Sequence, residues 1–184
     1  MNPTESGVTD AAGLNAILDD LARAIRDRPP VPGAALCLVG VRSRGVPIAL
    51  RISQRLRELA GLDVPVGTVD ITMYRDDFGH RPTWPVLEGT EIPFPVEDAE
   101  IILVDDVLFT GRTARAAINA ICDLGRPARI ALAVVVDRNG RELPIQPDYV
   151  GRRLTAALSE RIEVRIAPVD DSEGIVRVTP GQGA

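Results

Sequence analysis

The sequence predicts an α/β domain built on a mainly parallel sheet flanked by helices, and three observations carry that prediction. Continuous apolar runs at Ala34–Val41, Ile101–Val104 and Arg129–Val136 read as strands buried on both faces. Apolar stripes at helical spacing lie between them. Short polar turns, at Arg42–Gly45, Asp105–Thr113 and Asp137–Glu142, follow the strands, and alternation of this kind is the signature of a parallel α/β domain.

The elements follow in order. The first nine residues are expected to be frayed, and residues 10–180 to form a single domain. Thr9 or Asp10 caps a helix running to about Arg28, with Leu14, Ile17, Leu18, Leu21 and Ile25 on one stripe, and Pro29, Pro30 and Pro32 stop it. Pro47 suits the first turn of a second helix, whose stripe is Ile48, Ile52, Leu56 and Leu59 and which ends at Gly61. Thr68–Tyr74 alternates as a half-buried strand does. A Pro-rich stretch from about Arg75 to Asp98 has neither periodicity, and its length suits a lid. A helix from Thr113 to Leu124 turns Ala114, Ala117, Ile118 and Ile121 inward, and Gly125 and Pro127 end it. Ile162–Ile166 and Ile175–Val178 are weaker strand candidates.

Composition removes several chemistries. The 184 residues carry a net charge of −5, and all 21 basic side chains are Arg. Without Lys there is no Schiff base and no G-x-x-x-x-G-K-[ST] phosphate loop. The single His80 cannot make a two-His zinc site and reads as an exposed side chain. Cys37 and Cys122 lie far apart in apolar segments, as free thiols of a cytoplasmic protein do. The amino terminus has no signal-peptide pattern and no apolar run is long enough to span a membrane. The remaining inventory of carboxylates, guanidinium groups, hydroxyls and backbone N–H groups suits electrostatic stabilisation and positioning.

The densest constellation is Ile101–Thr113. An apolar strand ends in Asp105 and Asp106, and Val107-Leu108-Phe109-Thr110-Gly111-Arg112-Thr113 then opens a helix. The Thr110–Thr113 turn can aim N–H groups and two hydroxyls at one phosphate monoester, helped by the positive end of the helix. Two carboxylates repel that phosphate but accept hydrogen bonds from vicinal sugar hydroxyls. Together they describe a ribose 5-phosphate site. Two other readings stand beside this one. An Asp-Asp pair after a strand can be a solvated turn or cap. It can also be an acidic Mg²⁺ site of the receiver or haloacid-dehalogenase kind, against which the missing Lys counts.

Ile101–Thr113 resembles the phosphoribosyl-diphosphate (PRPP) binding motif of the type I phosphoribosyltransferases. Asp70-Ile71-Thr72-Met73-Tyr74-Arg75-Asp76-Asp77, Gly40-Val41-Arg42-Ser43-Arg44-Gly45, Gly125-Arg126-Pro127, Asp137-Arg138 with Arg141-Glu142-Leu143-Pro144, and Asp148-Tyr149-Val150-Gly151 are similar to motifs of one family within them, the pyrimidine operon regulators or bifunctional PyrR proteins. The similarity runs from about residue 10 to residue 170.

The resemblance implies a type I phosphoribosyltransferase fold with a lid or hood. It implies uracil phosphoribosyltransferase activity, uracil and PRPP giving UMP and pyrophosphate, with Mg²⁺ held mainly through PRPP. By the same resemblance Asp105 and Asp106 hold the ribose hydroxyls. The 5-phosphate lies on Thr110, Gly111, Arg112 and Thr113, next to Val107, Leu108 and Phe109. Ser43, Arg44 and Gly45 form the pyrophosphate loop, and Asp105, Asp106 and Arg44 carry catalysis. Arg138, with backbone near Ile162, faces the base, and Arg81 reaches the pyrophosphate from the lid. Arg75, Asp76 and Asp77 suit an ion-pair network between subunits, in keeping with a homo-oligomer.

The family also binds a stem-loop of pyr messenger RNA when UMP or UTP is bound, and so attenuates transcription. Here the sequence departs from the family pattern. Asn139 and Gly140 replace Gly-His, and Gln146 stands where Arg is usual. Gly151-Arg152-Arg153-Leu154-Thr155-Ala156-Ala157 replaces a Lys-containing segment. Asp19 and Asp20 replace a hydroxyl residue and an Arg. Lost positive charge weakens the hold on phosphates, which Arg152 and Arg153 partly offset. Two alternatives to the bifunctional reading follow: a transferase without RNA regulation, and an RNA-binding attenuator with vestigial catalysis.

Overall fold

A computed structural model describes residues 3–71 and 89–181. In chain order these form β1 (Thr4–Thr9), α1 (Ala11–Asp27), β2 (Leu36–Val41), α2 (Gly45–Ala60), β3 (Val66–Val69), β4 (Glu100–Leu108), α3 (Arg112–Cys122), β5 (Arg129–Arg138), β6 (Tyr149–Leu154), β7 (Arg161–Arg165) and β8 (Gly174–Thr179). Five strands make a parallel sheet in the order β3-β2-β4-β5-β6. The order reverses between β2 and β4, so the crevice at their carboxyl ends is where a doubly wound sheet places its ligand.

The alternation of side chains along the strands builds two cores. Leu38, Ile102, Val104, Ala133 and Val135 face α1 and α2, while Val39, Val41, Ile101, Leu103, Leu132 and Val134 face α3. Helix α1 begins as expected: the Asp10 carboxylate accepts the Gly13 N–H at 2.8 Å, and Leu14, Leu18, Leu21 and Ile25 are buried. Helix α2 ends on Gly61, whose φ of 64° is the left-handed conformation that closes a helix.

Two expectations are corrected. Residues 4–9 are not frayed. They form β1, which pairs antiparallel with β8, and β7 completes a second, three-stranded sheet. The two weaker strand candidates of the sequence are thus its β7 and β8. Residues 149–154 form β6, the edge strand beside β5. Strand β4 continues through Asp105 to Leu108, and β5 through Asp137 to Arg138, because the two pair along their whole length, Leu108 opposite Asp137. The polar segments after them are shorter than the apolar pattern suggests. The lid expected at about 75–98 falls mostly among residues 72–88, outside the described residues, with Arg75, Asp76, Asp77, His80 and Arg81.

Candidate active site

Register brings the carboxylates to the crevice. Strand β2 stops one residue after Gly40 pairs with Val104, while β4 runs on beside β5 alone. Asp105 and Asp106 therefore stand on a projecting strand end whose β2 side is open. The polypeptide leaving β2 fills part of that opening. Gly40 and Gly45 make the approach possible: a Cβ on Gly40 would meet the Gly45 carbonyl at 2.6 Å, and one on Gly45 would collide with the Val104 carbonyl. Gly45→Ala is expected to push α2 away from β4 and cost about 1–3 kcal/mol, read as a lower midpoint of urea unfolding with unchanged slope.

A cavity of about 200 Å³ opens at this point, lined by Val41, Arg42, Ser43, Arg44, Ile71, Asp105, Asp106, Val107 and Thr113. It brings together Ser43, Arg44, Asp105, Asp106, Val107 and Thr113 from the expected site. Asp105 is only 5% exposed. Burial and the neighbouring Asp106 carboxylate push its carboxyl well above the usual carboxylate range. Its Oδ1 accepts the Asp106 N–H at 2.9 Å, and Asp106 Oδ1 accepts the Val107 N–H at 2.8 Å. A buried carboxylate under repulsion is stabilised by any group that brings it a hydrogen, and a sugar diol brings two.

The turn after β4 is organised by backbone. Gly111, at φ 91°, caps α3, and no side chain caps that end of the helix. Thr110 Oγ1 accepts the Arg112 N–H at 3.3 Å, and the Thr110 carbonyl accepts the N–H groups of Glu142 and Leu143, both at 3.0 Å. The Arg112 side chain is drawn to Glu142 at 2.7 Å, so this residue offers an anion its backbone more readily than its guanidinium. Leu108 is buried in the α3 core rather than lining the cavity, and Gly111 lies against Leu143 and Ile145.

The Arg138 side chain is engaged within the fold. Its guanidinium lies over the Phe109 ring at 4.0 Å and donates to the carbonyls of Glu160 and Ala157 at 2.8 and 3.1 Å. Burial lowers its pKa, and the residue is 4% exposed. The side chain is thus consumed in holding β5 to the segment before β7, and what it leaves for a base is backbone. Gly140 packs beneath the same ring, where a Cβ would collide with Phe109 Cε2. A second cavity, of about 330 Å³, is lined by Asp137–Arg141 and Arg153, Leu154 and Thr155. Ile162 does not line it. Its side chain is 7% exposed and belongs to the core beneath the small sheet.

Arg141 carries a role that the sequence did not disclose. Its Nη1 donates to the carbonyls of Leu108, Phe109 and Arg138 at 3.3, 2.7 and 3.1 Å, and its Nε to that of Ile145 at 2.8 Å. Nη2 bonds Asp137 Oδ1 at 2.5 Å. One guanidinium thus ties the end of β4 to the segment after β5. The only sequence signal was its place in an Arg-Glu-Leu-Pro run, which says nothing of carbonyls more than thirty residues away.

Arg44 is also engaged, by Asp170 in the segment between β7 and β8. The guanidinium beside it holds the Asp170 carboxyl below its usual range. Because the folded pKa is depressed, this pair stabilises above the ordinary carboxylate range and the contribution is lost as pH falls through the depressed value. Arg51 does the same for Glu173. Acid is therefore expected to weaken the small sheet's hold on α2, observable as earlier amide exchange in β7 and β8 than in β4.

Among known proteins this combination of fold and site belongs to the phosphoribosyltransferases: the Phosphoribosyl transferase domain family matches residues 7–166. The bifunctional protein PyrR of Roseiflexus sp. (strain RS-1) is 46% identical over 182 residues, covering 97% of this chain and 99% of that one. That of Latilactobacillus sakei subsp. sakei (strain 23K) is 53% identical over 142 residues, covering 76% and 79%. The chain belongs to the bifunctional PyrR family. Among solved structures, a hypoxanthine phosphoribosyltransferase of Trypanosoma cruzi, a single-residue mutant in a ternary substrates complex, superposes with a TM-score of 0.71 at 17% identity, covering 95% of both chains, which shows the shared fold. No helix among the described residues is long and apolar enough to cross a membrane.

Proposed function

We propose that the protein transfers the ribosyl 5-phosphate of PRPP to uracil, and that it regulates pyr expression by binding a messenger stem-loop when UMP or UTP is bound. The observation that carries the first half is the meeting of Asp105, Asp106, Arg44, Ser43 and Thr113 in one cavity at the switch point of the sheet. Asp105 and Asp106 accept hydrogen bonds from the ribose hydroxyls, and their negative charge favours a ribosyl centre that becomes cationic as it reacts. The N-terminal amides of α3 and the Thr110 and Thr113 hydroxyls hold the 5-phosphate. Ser43, Arg44 and Gly45 hold the pyrophosphate. The bond from C1′ to the pyrophosphate oxygen breaks, the bond from C1′ to uracil N1 forms, and the N1 proton passes to the departing pyrophosphate or to water. Backbone at Arg138 orients the base.

The donor set fits Mg²⁺ that arrives on its substrate: two carboxylates are too few for a cage but suit an ion ligated mostly by phosphate oxygens. Of this chain's residues, Asp105 and Asp106 would hold it, and it would neutralise charge on the leaving pyrophosphate. Purified protein with Mg²⁺ is expected to form UMP from uracil and PRPP, and absence of UMP at millimolar PRPP refutes the proposal.

For the RNA, the relevant charges lie on α1. Asp20 pairs with Arg23 at 2.8 Å, and Asp19 with Arg55 at 2.5 Å. Each acidic residue thus both adds negative charge and occupies an arginine that could meet a phosphate. Restoring Asp19→Ser and Asp20→Arg is expected to tighten nucleotide-dependent binding of the stem-loop and to steepen its salt dependence by about one unit for each further phosphate neutralised. Titration at two salt concentrations, with and without UMP, reads both quantities. No nucleotide-dependent binding by either form leaves the transferase alone. The setting for both activities is the cytoplasm, as a homo-oligomer. Exposed Leu50, Leu59 and Leu62, on and just after α2, support self-association.

A further inference from the structure

Arg44 immediately precedes α2 and lines the cavity with Asp105 and Asp106. A long arginine beside two carboxylates has an obvious wrong destination. If free to swing, it would pair with Asp106 and close the space a ligand needs. It does not, because a different element takes hold of it. Its Nε donates to Asp170 Oδ2 at 2.9 Å and its Nη2 to Oδ1 at 2.7 Å, a bidentate pair with the planar fork fully matched. Asp170 is itself fixed. Its Oδ2 also accepts the Ile166 N–H at 3.0 Å, and its own N–H donates to the Ile166 carbonyl at 3.0 Å. The pair consumes two of the five guanidinium donors and leaves three.

We propose that Asp170 is a positioning residue for the transfer reaction: it fixes the Arg44 guanidinium so that its three remaining donors meet the pyrophosphate of PRPP. The proposal rests on the assignment of Ser43–Gly45 as the pyrophosphate loop. Asp170 does not line the cavity, and it comes from the segment between β7 and β8, more than a hundred residues from Arg44. The segment between β7 and β8 thereby shapes the phosphate side of the site.

A neighbouring clamp separates this role from mere attachment. Two turns further along α2, Arg51 holds Glu173 from the same segment, with Nη1 to Oε2 at 3.1 Å and a second bond from Nη2 to Oε1. Glu173 Oε1 also accepts the Ala167 N–H at 3.3 Å. This clamp fastens the same segment to the same helix, but Arg51 does not line the cavity.

The test compares Asp170→Asn, Asp170→Glu, Glu173→Gln and Arg44→Gln in steady-state UMP synthesis, with pyrophosphate inhibition measured alongside. Asp170→Asn keeps one acceptor but loses the charge and the two-point match. It is expected to raise KM for PRPP and the inhibition constant of pyrophosphate about tenfold, as small misplacement of a binding group does, with kcat and KM for uracil little changed. Asp170→Glu keeps the charge and is expected to move the same two constants in the same direction by a smaller factor, which serves if the Asn variant does not fold. Glu173→Gln is expected to lower thermal stability while leaving both constants unchanged. Unchanged constants in both Asp170 variants overturn the proposal. So does a lower KM, which would mean that Asp170 competes with pyrophosphate for Arg44. So does an equal rise in Glu173→Gln, which would reduce Asp170 to a fastening. If Arg44→Gln itself leaves KM for PRPP unchanged, the pyrophosphate-loop assignment fails. If it raises KM while Asp170→Asn does not, only the positioning role fails.

Discussion

Changing Asp105 and Asp106 together to Asn is expected to lower kcat/KM for PRPP by about 10²-fold or more, since two hydrogen bonds to ionised groups, at about 1.5 kcal/mol or more each, are exchanged for weaker neutral ones. The same change should leave the protein as stable as before or more so at neutral pH. Asp105 is buried and held well above the usual carboxylate range by that burial and by Asp106. A carboxyl whose folded pKa is raised stabilises the fold below its unfolded pKa, and that contribution disappears as pH rises through the folded value. At neutral pH the pair is therefore a cost to the fold, which the hydroxyls of the proposed substrate would offset. The variant should lose activity, keep or raise its thermal midpoint, and show a flatter dependence of that midpoint on pH from the acid side. A marked loss of stability would mean that the carboxylates hold the fold, not a ribose.

Arg141 makes the opposite prediction. Its replacement by Ala is expected to lower stability and activity together. The carbonyls of Leu108, Phe109, Arg138 and Ile145 lose their shared donor, and Asp137 loses its closest partner. Unsatisfied acceptors at a part-buried site put the loss at about 2–4 kcal/mol, or roughly 5–15 °C in thermal midpoint for a domain of this size. Activity should fall at least about tenfold even where the protein is fully folded, because the start of the Thr110–Thr113 turn is no longer tied to the segment after β5. Arg141→Lys should recover little of either, since an ammonium cannot reproduce the fork. Thermal melts and initial rates on the same preparations decide the matter.

The contrast shows how far the chain could be read unaided. The apolar runs of β2, β4 and β5 and the stripes of α1, α2 and α3 are local signals, and they placed the three central strands with helices between them. The polar residues after β2 and β4 then had to share one sheet edge, which is why Ser43, Arg44, Asp105, Asp106 and Thr113 meet as expected. What was illegible depends on distant pairing. Strand β1 is mostly exposed and owes its existence to β8. Strand β6 contains Gly151 and two arginines, and nothing local separates it from a loop. Gly151 is there because α1 crosses close by, where a Cβ would collide with Ile17 Cγ2. Asp106 begins no turn, because β5 continues to pair with the strand that carries it. Position alone did not announce that the Arg138 side chain braces β5 against the segment before β7, or that Arg141, three residues on, ties together the ends of β4 and β5.

The pairing of β1 with β8 has a consequence for how the molecule comes into being. A ribosome makes β1 long before β8, so β1 has no partner until β8 has emerged. The parallel sheet, by contrast, is nearly complete once β5 has emerged. Domains formed by such distant contacts close late. The nascent protein should therefore pass through a stage in which the α/β layers are packed while β1 is an unpaired edge, and limited proteolysis of stalled chains should cut near residue 7 until β8 is out. Arg44 waits over much the same interval for Asp170, so its guanidinium is fixed only after the parallel sheet is built.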